Sequence, residues 1–320
     1  MTRSLGAAAV AAFLALSCPA LAQQFPQHEI HVYCGFPAGS SADVWVRHIA
    51  EGLRPLAGKP VIVENKVGAS GNLAVEALTH AKPDGHTLAI SPGGPLSYTV
   101  HIYKRLGYDP VAGLAPIGTV VKFPFVLVVD PKRPVSSVAE LVAQLKGKPG
   151  DATYGATGGG PIVLSELLKY HAGFNAVQVL YRNTSAIMND LMAGNLDFVF
   201  MDSASALAQI HEGRLKALAV STPARSALAP DIPTMAEAGF PGIDRIAWFG
   251  AVLPKDTPDS IAGTFNSWIQ TILASDETKR FFQTAGAEVF PGTPEQLTVL
   301  QRDEIEKWAK LAKLAKMEPQ

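Results

Sequence analysis

The chain has 320 residues, with 27 basic and 28 acidic side chains and a formal net charge of −1. That balance argues against a nucleic-acid partner and against binding to an anionic membrane surface. The length and the 48% hydrophobic content are sufficient for two globular domains, each with its own core.

The N-terminal segment has the composition of a secretory signal peptide. Arg3 provides the positive start, residues 5–16 form an apolar run too short to span a bilayer, and residues 20–22 form a small-residue cleavage site. We predict cleavage after Ala22 and export of residues 23–320 to the periplasm. The alternative is a lipid anchor on Cys18, although the usual lipobox leucine is absent. Cleavage would leave Cys34 as the single cysteine, so no intrachain disulfide is expected.

Strand-like and helix-like segments alternate along the mature chain. Strands are predicted at 30–36, 61–64 and 87–90, with helices at 42–56 and 72–81 between them. A second set has strands at 125–130, 152–155, 177–181, 197–201 and 215–221. Helices are predicted at 136–144, from the loop at 157–161 through 171, and at 185–192, and residues 258–316 are largely helical. This alternation predicts an α/β fold with mostly parallel strands. Two lobes joined near 122–126 and 245–250 would be able to hinge.

The stretch "CGFPAGSSADVWVR", residues 34–47, connects the first strand to the first helix. Ser40 is placed as a helix N-cap, and Asp43 fits a variant of the capping box. Gly39 permits close backbone approach, and the helix start offers N–H groups at a positive dipole end. The loop therefore predicts a site for a carboxylate or another anion. The alternative is an ordinary helix cap.

The second lobe has two similar loops. "YGATGGGPIVLSE", residues 154–166, passes through three glycines, and Pro161 suits a first helical position. "YRNTSA", residues 181–186, supplies further capping residues. Because open α/β sheets bind ligands at the carboxyl ends of their strands, we expect the two lobes to enclose a small polar molecule.

Signals for catalysis and for metal binding are weak. The chain has no phosphate-binding G-x-x-x-x-G-K-[ST] loop, and "GASGN" lacks the last glycine of a nucleophile elbow. His28 and His31 are close in sequence but have no second ligand cluster. We therefore expect no metal, no cofactor and no enzyme activity.

Several blocks, in this order and spacing, carry a resemblance to a known family. They are "FPAGSSAD", "VIVENKVGASGNLAVEAL", "PDGHTL", "YDPVAGLAPI", "MAGNLDFVF", "GRLKALAVSTPARSALAPDIPTMAEAGFPG" and "AWFGAVLP". The chain resembles the periplasmic solute-binding proteins of tripartite tricarboxylate transporters, the Bug/TctC family. The resemblance implies a type II Venus-flytrap with residues 23–124 and 248–320 in one lobe and 125–247 in the other. It also implies a monomer that holds a small carboxylate in the cleft.

Site residues follow from the resemblance position by position. The implied ligand contacts are Phe36, Pro37, Ala38, Gly39, Ser40, Ser41, Asp43, Ser91 and Gly93 in the first lobe, and Ala156, Thr157, Gly158, Gly159, Tyr181, Arg182, Asn183, Thr184 and Asp202 in the second.

The chain departs from the family pattern at the loop after Tyr154. That loop is shorter than the common serine-rich version and contains Pro161, Ile162 and Val163. Fewer hydroxyls argue against a citrate-like ligand and favour a monocarboxylate, an aromatic acid or a less charged molecule. Three functions stay open: delivery of an organic acid to membrane permease subunits, presentation of the ligand-bound form to a membrane sensor, and catalysis in the cleft.

Overall fold

The computed structural model describes residues 25–148, 150–181 and 183–314. The predicted signal peptide, Cys18 and Arg182 lie outside these residues. The strands are β1 (Ile30–Cys34), β2 (Val61–Asn65), β3 (Thr87–Pro92), β4 (Leu114–Val129), β5 (Ala152–Ala156), β6 (Ala176–Leu180), β7 (Phe198–Asp202), β8 (Lys216–Val220), β9 (Ile246–Pro254) and β10 (Glu288–Val289).

The predicted helices are present, and the C-terminal third contains three of them. The helices are α1 (Ser41–Ala57), α2 (Asn72–Thr79), α3 (Gly93–Leu96), α4 (Val138–Lys146), α5 (Gly159–Ala172), α6 (Thr184–Met192), α7 (Ser203–His211), α8 (Asp259–Ala274), α9 (Asp276–Thr284) and α10 (Pro294–Leu314), with 3₁₀ turns at Ala69–Gly71 and Tyr98–His101. Within the described residues, no helix combines the length and apolar character that crossing a membrane requires.

The strands form one curled sheet in the order β2-β1-β3-β9-β4-β7-β5-β6, and β4 also pairs with β8 and β10. In the first half β1 runs parallel to β2 and β3, and in the second half β5 runs parallel to β6 and β7. The α/β prediction is confirmed. The expectation of mostly parallel strands holds only for these outer strands, because β9 is antiparallel to β3 and β4, and β4 is antiparallel to β7 and β8.

Strand β4 belongs to both halves of the sheet. It pairs with β9 as far as Pro124, and from Phe125 onward it pairs with β7. The change falls inside the predicted crossing at 122–126. Sequence patterns missed the first part of β4 and the whole of β9, because Pro116, Gly118 and Gly250 interrupt them and such residues normally mark strand ends. The lobe boundaries themselves remain predictions.

The core of the first half lies between β1 and α1. Ile30, Val32 and Cys34 are fully buried on one face of β1. Burial raises the pKa of the Cys34 thiol to about 11, so it is an unreactive thiol at neutral pH. The buried stripe of α1 has helical spacing and anchors the helix start that faces the cavity: Trp45, Val46, Ile49 and Leu53.

Candidate ligand-binding site

A cavity of about 460 Å³ lies between the two halves of the sheet. This volume is within the range of small-molecule sites. The loops at the carboxyl ends of strands in both halves line it, as predicted for an open α/β sheet. The predicted site residues that line the cavity are Phe36, Pro37, Ala38, Gly39, Ser40, Ser41, Gly93, Thr157, Gly158, Gly159, Asn183, Thr184 and Asp202.

Four other predicted residues are not among the described residues that line the cavity. Asp43 is a buried anchor of the α1 start, and Ser91 is buried within β3. Ala156 is fully buried and its carbonyl accepts the N–H of Tyr181 at 2.9 Å, while the Tyr181 hydroxyl donates to Asp190. Asp43 lies in the first turn of α1, and the other three lie at or next to the ends of β3, β5 and β6, beside loops that line the cavity.

The start of α1 carries a side-chain cap, while the amides of its first two residues, Ser41 and Ala42, stay unpaired as in any first helical turn. Ser40 Oγ accepts the N–H of Asp43 at 3.3 Å, and the Asp43 carboxylate accepts the N–H of Gly39 at 2.9 Å. Burial alone would raise the pKa of Asp43, but hydrogen bonds from Arg47, Asn65 and the Gly39 amide outweigh it and lower that pKa. The predicted cap is therefore present. Its consequence is that the Gly39 N–H is already used inside the protein.

The start of α5 is open. Gly158 at its N-cap makes no side-chain capping bond. The next two residues, Gly159 and Gly160, carry amide groups that the first turn of a helix leaves unpaired, and Pro161 has no N–H. An added Cβ on Gly159 would lie 3.0 Å from Tyr98 Cε2 of the opposite half. A side chain at this position would therefore press on side chains of the opposite half.

Two further helix starts reach the cavity. Asn183 caps α6 by accepting the N–H of Ala186 at 2.9 Å, and Asp202 caps α7 by accepting the N–H of Ser205 at 2.9 Å. Ser41 of the first half donates its hydroxyl to Asp202 Oδ1 at 3.3 Å, so a hydrogen bond crosses the cleft. Burial raises the pKa of Asp202, with the hydrogen bonds acting in the opposite direction.

Apart from Phe36, sequence analysis missed the aromatic lining of the cavity. The indole N–H of Trp45, one of these residues, has no hydrogen-bond partner in the part of the chain that the structure describes. These side chains come from six separate segments, so no local pattern marked them as a group. We call them the aromatic wall: Phe36, Trp45, Tyr98, Phe123, Phe125, Trp248, Phe249 and Trp308.

An ion pair at one end of the cavity was also missed. Arg245 Nη1 lies 3.3 Å from Glu304 Oε1, and both residues line the cavity. The i,i+4 spacing of Glu304 and Trp308 on the last helix placed both on one face and was the signal available in the sequence.

A cluster of possible metal ligands lies away from the cavity. His28, Asp84 and His86 bring their ligand atoms within 4.8 Å of one another. The two imidazole rings are stacked, with centroids 3.6 Å apart. Both nitrogens of His86 already contact other groups, the Asp84 carboxylate and the N–H of Gln27. The expectation of no metal site stays a prediction.

Residues 45–317 match the protein family described as "Tripartite tricarboxylate transporter family receptor". This chain belongs to that family. Protein BugT of Bordetella pertussis is 32% identical over 97% of this chain and 96% of its own length. A protein encoded in the gbd 5' region of Cupriavidus necator is 35% identical over 80% of this chain and 78% of its own length.

Solved structures of the receptor family have the same fold. A protein of R. palustris in a structure with adipate is 28% identical, covers 92% of this chain and 100% of its own, and gives a TM-score of 0.88. The periplasmic binding protein BugD is 30% identical with the same coverage and a TM-score of 0.85. MatC of Rhodopseudomonas palustris with bound malate is 26% identical over 90% of this chain and 99% of its own, with a TM-score of 0.83. The predicted Bug/TctC membership and type II architecture are confirmed.

Proposed function

We propose that the protein captures a small organic carboxylate in the cleft and delivers it to the membrane subunits of a tripartite transporter. The observation that carries this proposal is the convergence of four helix starts, those of α1, α5, α6 and α7, on one cavity. Helix N-termini offer backbone donors and a partial positive charge, which together favour anions. The relatives with adipate and malate support the same ligand chemistry.

The carboxylate would bind at the open start of α5. The amides of Gly159 and Gly160 are the donors, and the hydroxyls of Ser41, Thr157 and Thr184 complete the polar set. The aromatic wall would cover the rest of the ligand. An apolar or aromatic body fits this wall better than a citrate-like molecule, whose further charges would need further donors.

Closure of the two lobes over the ligand would give the transporter a bound form that differs from the free form. We place residues 23–124 and 248–320 in one lobe and 125–247 in the other. Two contacts between these lobes, Ser41 with Asp202 and Ser203 Oγ with the Gly286 carbonyl at 2.5 Å, suit a closed form. A ligand that contacts both lobes binds the closed form more tightly and so shifts the population toward it.

We infer that the cleft binds its ligand without catalysis. Its two acidic side chains have other partners, since Asp202 caps α7 and Glu304 pairs with Arg245. Asp202 accepts the hydroxyl of Ser41, but the same oxygen caps α7. The partners of Glu304 in the described part of the chain are Arg245 and Trp308 rather than a hydroxyl or thiol. Steady-state assays with any bound acid should show no turnover.

Isothermal titration calorimetry of residues 23–320 tests the proposal. The panel contains mono-, di- and tricarboxylates, aromatic acids and the neutral amide of each acid. We expect an acid to bind and its amide to bind at least about tenfold more weakly, because the amide lacks the anionic charge. Preference for the amides, or binding of none of the acids, would contradict the proposal.

We further propose that the protein acts in the periplasm after removal of residues 1–22. Intact-mass measurement of the exported protein should give a chain that begins at Gln23. A mass that includes a diacylglycerol group on Cys18 would support the lipid-anchored alternative.

A further inference from the structure

Arg245 and Glu304 place two opposite charges at one end of the cavity, where they offset each other. Arg245 precedes β9, and Glu304 lies on α10, so two distant segments meet at this end of the cavity. Their side chains are only 15% and 11% exposed. Among the described residues that line the cavity, Arg245 is the single lysine or arginine.

Both carboxylate oxygens of Glu304 have partners. Oε1 faces Arg245 at 3.3 Å, and Oε2 accepts the indole N–H of Trp308 at 3.2 Å. The Trp308 ring stacks on Tyr98, with centroids 3.6 Å apart and an interplanar angle of 8°. These contacts hold Glu304 in one orientation, because it cannot turn away from Arg245 without breaking the bond to Trp308.

An unpaired arginine in a small cavity would bind a ligand carboxylate in a charge-assisted pair. Here Glu304 occupies that position, and a second ligand carboxylate would meet a like charge at low dielectric. The surrounding surface is the aromatic wall, which suits an uncharged group. This end of the cavity is therefore built for the apolar end of a ligand.

Resting on the proposed function, we propose that Glu304 is a specificity-determining residue that makes the protein select monocarboxylates over dicarboxylates of the same length. The ligand's one carboxylate binds at the start of α5, and its apolar body reaches the Arg245–Glu304 pair. Adipate carries a carboxylate at each end, so this protein differs in specificity from the relative in the adipate structure.

The test uses matched ligand pairs that differ by one carboxylate: hexanoate and adipate, butyrate and succinate, benzoate and terephthalate. Calorimetry on the mature protein should show the monocarboxylate of the best-bound pair binding at least about tenfold more tightly. Glu304→Gln keeps the side-chain size and an oxygen for Trp308 but frees the Arg245 charge. We expect this variant to bind the dicarboxylate at least about tenfold more tightly than the wild type does.

Two controls separate the charge effect from a change in structure. Glu306→Gln, on the exposed face of the same helix, should leave the selectivity unchanged. Arg245→Gln combined with Glu304→Gln should lose the gain for the dicarboxylate.

If the wild type binds the dicarboxylate as tightly as the matched monocarboxylate, the inference is overturned, while the proposal of carboxylate binding stands. An equal effect of Glu304→Gln on both ligands also overturns it. If Glu304→Gln does not fold, the wild-type selectivity alone decides. Binding of no acid in the wider panel of mono-, di- and tricarboxylates and aromatic acids overturns the proposed function itself, and the matched pair is built on the acid of that panel that binds most tightly.

Discussion

The starts of helices α1 and α5 face the same cavity but differ in what occupies their amides. At α1, Ser40 Oγ accepts the N–H of Asp43, and the Asp43 carboxylate accepts the N–H of Gly39. At α5, Gly158 has no capping side chain and the first two helical residues are glycines. The capping signal in the sequence thus marks a helix start where a side chain takes one first-turn amide, that of Asp43, while the amides of Ser41 and Ala42 stay unpaired. At α5 no side chain competes with a ligand for the amides of Gly159 and Gly160.

The largest effect on stability should come from the Asp43 carboxylate at the start of α1. Asp43→Ala removes hydrogen bonds to Gly39, Arg47 and Asn65, and we expect the free energy of unfolding to fall by about 2 kcal/mol in urea titrations. Because the pKa of Asp43 is lowered in the fold, its contribution is present above the ordinary aspartate pKa and is lost as pH falls through the folded value.

The matched control for Asp43 is Glu51→Ala on the exposed face of the same helix, which should change stability by less than about 0.5 kcal/mol. Unchanged stability with a large loss of ligand affinity in Asp43→Ala would show that Asp43 contacts the ligand, as the sequence resemblance implies.

Ligand affinity should be more sensitive to substitutions at the start of α5 than to substitutions at the start of α1. Gly159→Val places bulk 2.9 Å from Ile102 and 3.0 Å from Tyr98 across the cleft, so closure is impeded. We expect the dissociation constant measured by calorimetry to rise at least about tenfold. Gly263→Val, where an added Cβ meets nothing within 4 Å, is the control. Equal affinity in the two variants would mean that the cleft does not close at this point.

The reverse result is expected at Gly39. Its φ of 78° is unfavourable for a residue with a Cβ, but an added Cβ meets nothing within 4 Å. Gly39→Ala should lose about 1 kcal/mol of stability and keep its ligand affinity. Gly58→Ala, at φ 62° and also open, should lose a similar amount in the same thermal melts. A selective loss of affinity in Gly39→Ala would show that the Gly39 backbone itself contacts the ligand.

The smallest effect concerns Asp202, whose pKa burial raises. The folded protein then holds this proton more tightly than the unfolded chain, so its contribution to stability falls as pH rises from the ordinary value of 3.8 through the raised one. Protonation also removes a negative charge from the cavity. Affinity for a carboxylate should therefore increase as pH is lowered from neutral toward the ligand's own pKa.

Asp202→Asn should bind the carboxylate a few-fold more tightly and without this pH dependence, since its amide oxygen can still cap α7. Asp303→Asn, exposed on α10, should retain the wild-type pH profile. Loss of binding in Asp202→Asn would instead show that the Asp202 carboxylate accepts a hydrogen bond from the ligand.

Local patterns predicted the parts of the fold that rest on local rules. The parallel strands and the caps at Ser40 and Asn183 follow from apolar runs and from capping chemistry, and both caps are present. Strand β9 was not predicted, because Gly250 interrupts its apolar pattern and its pairing depends on distant partners in β3 and β4.

The candidate site also has parts that local patterns predict and parts that they do not. Its loops could be predicted, since each directly follows a strand. The aromatic wall and the Arg245–Glu304 pair could not, because Tyr98, Arg245 and Trp308 meet only after the chain has crossed between the halves. Nor did the loop pattern separate the residues in contact with the cavity from those that do not line it, as Asp43 and Ala156 demonstrate.

A crystal structure of residues 23–320 with the tightest-binding carboxylate is the most direct test of the account. We expect a carboxylate oxygen within about 3.2 Å of the Gly159 or Gly160 amide nitrogen, with the ligand body against the aromatic wall and directed toward Trp308. A carboxylate bound to Arg245, with the ligand body at the start of α5, would contradict it.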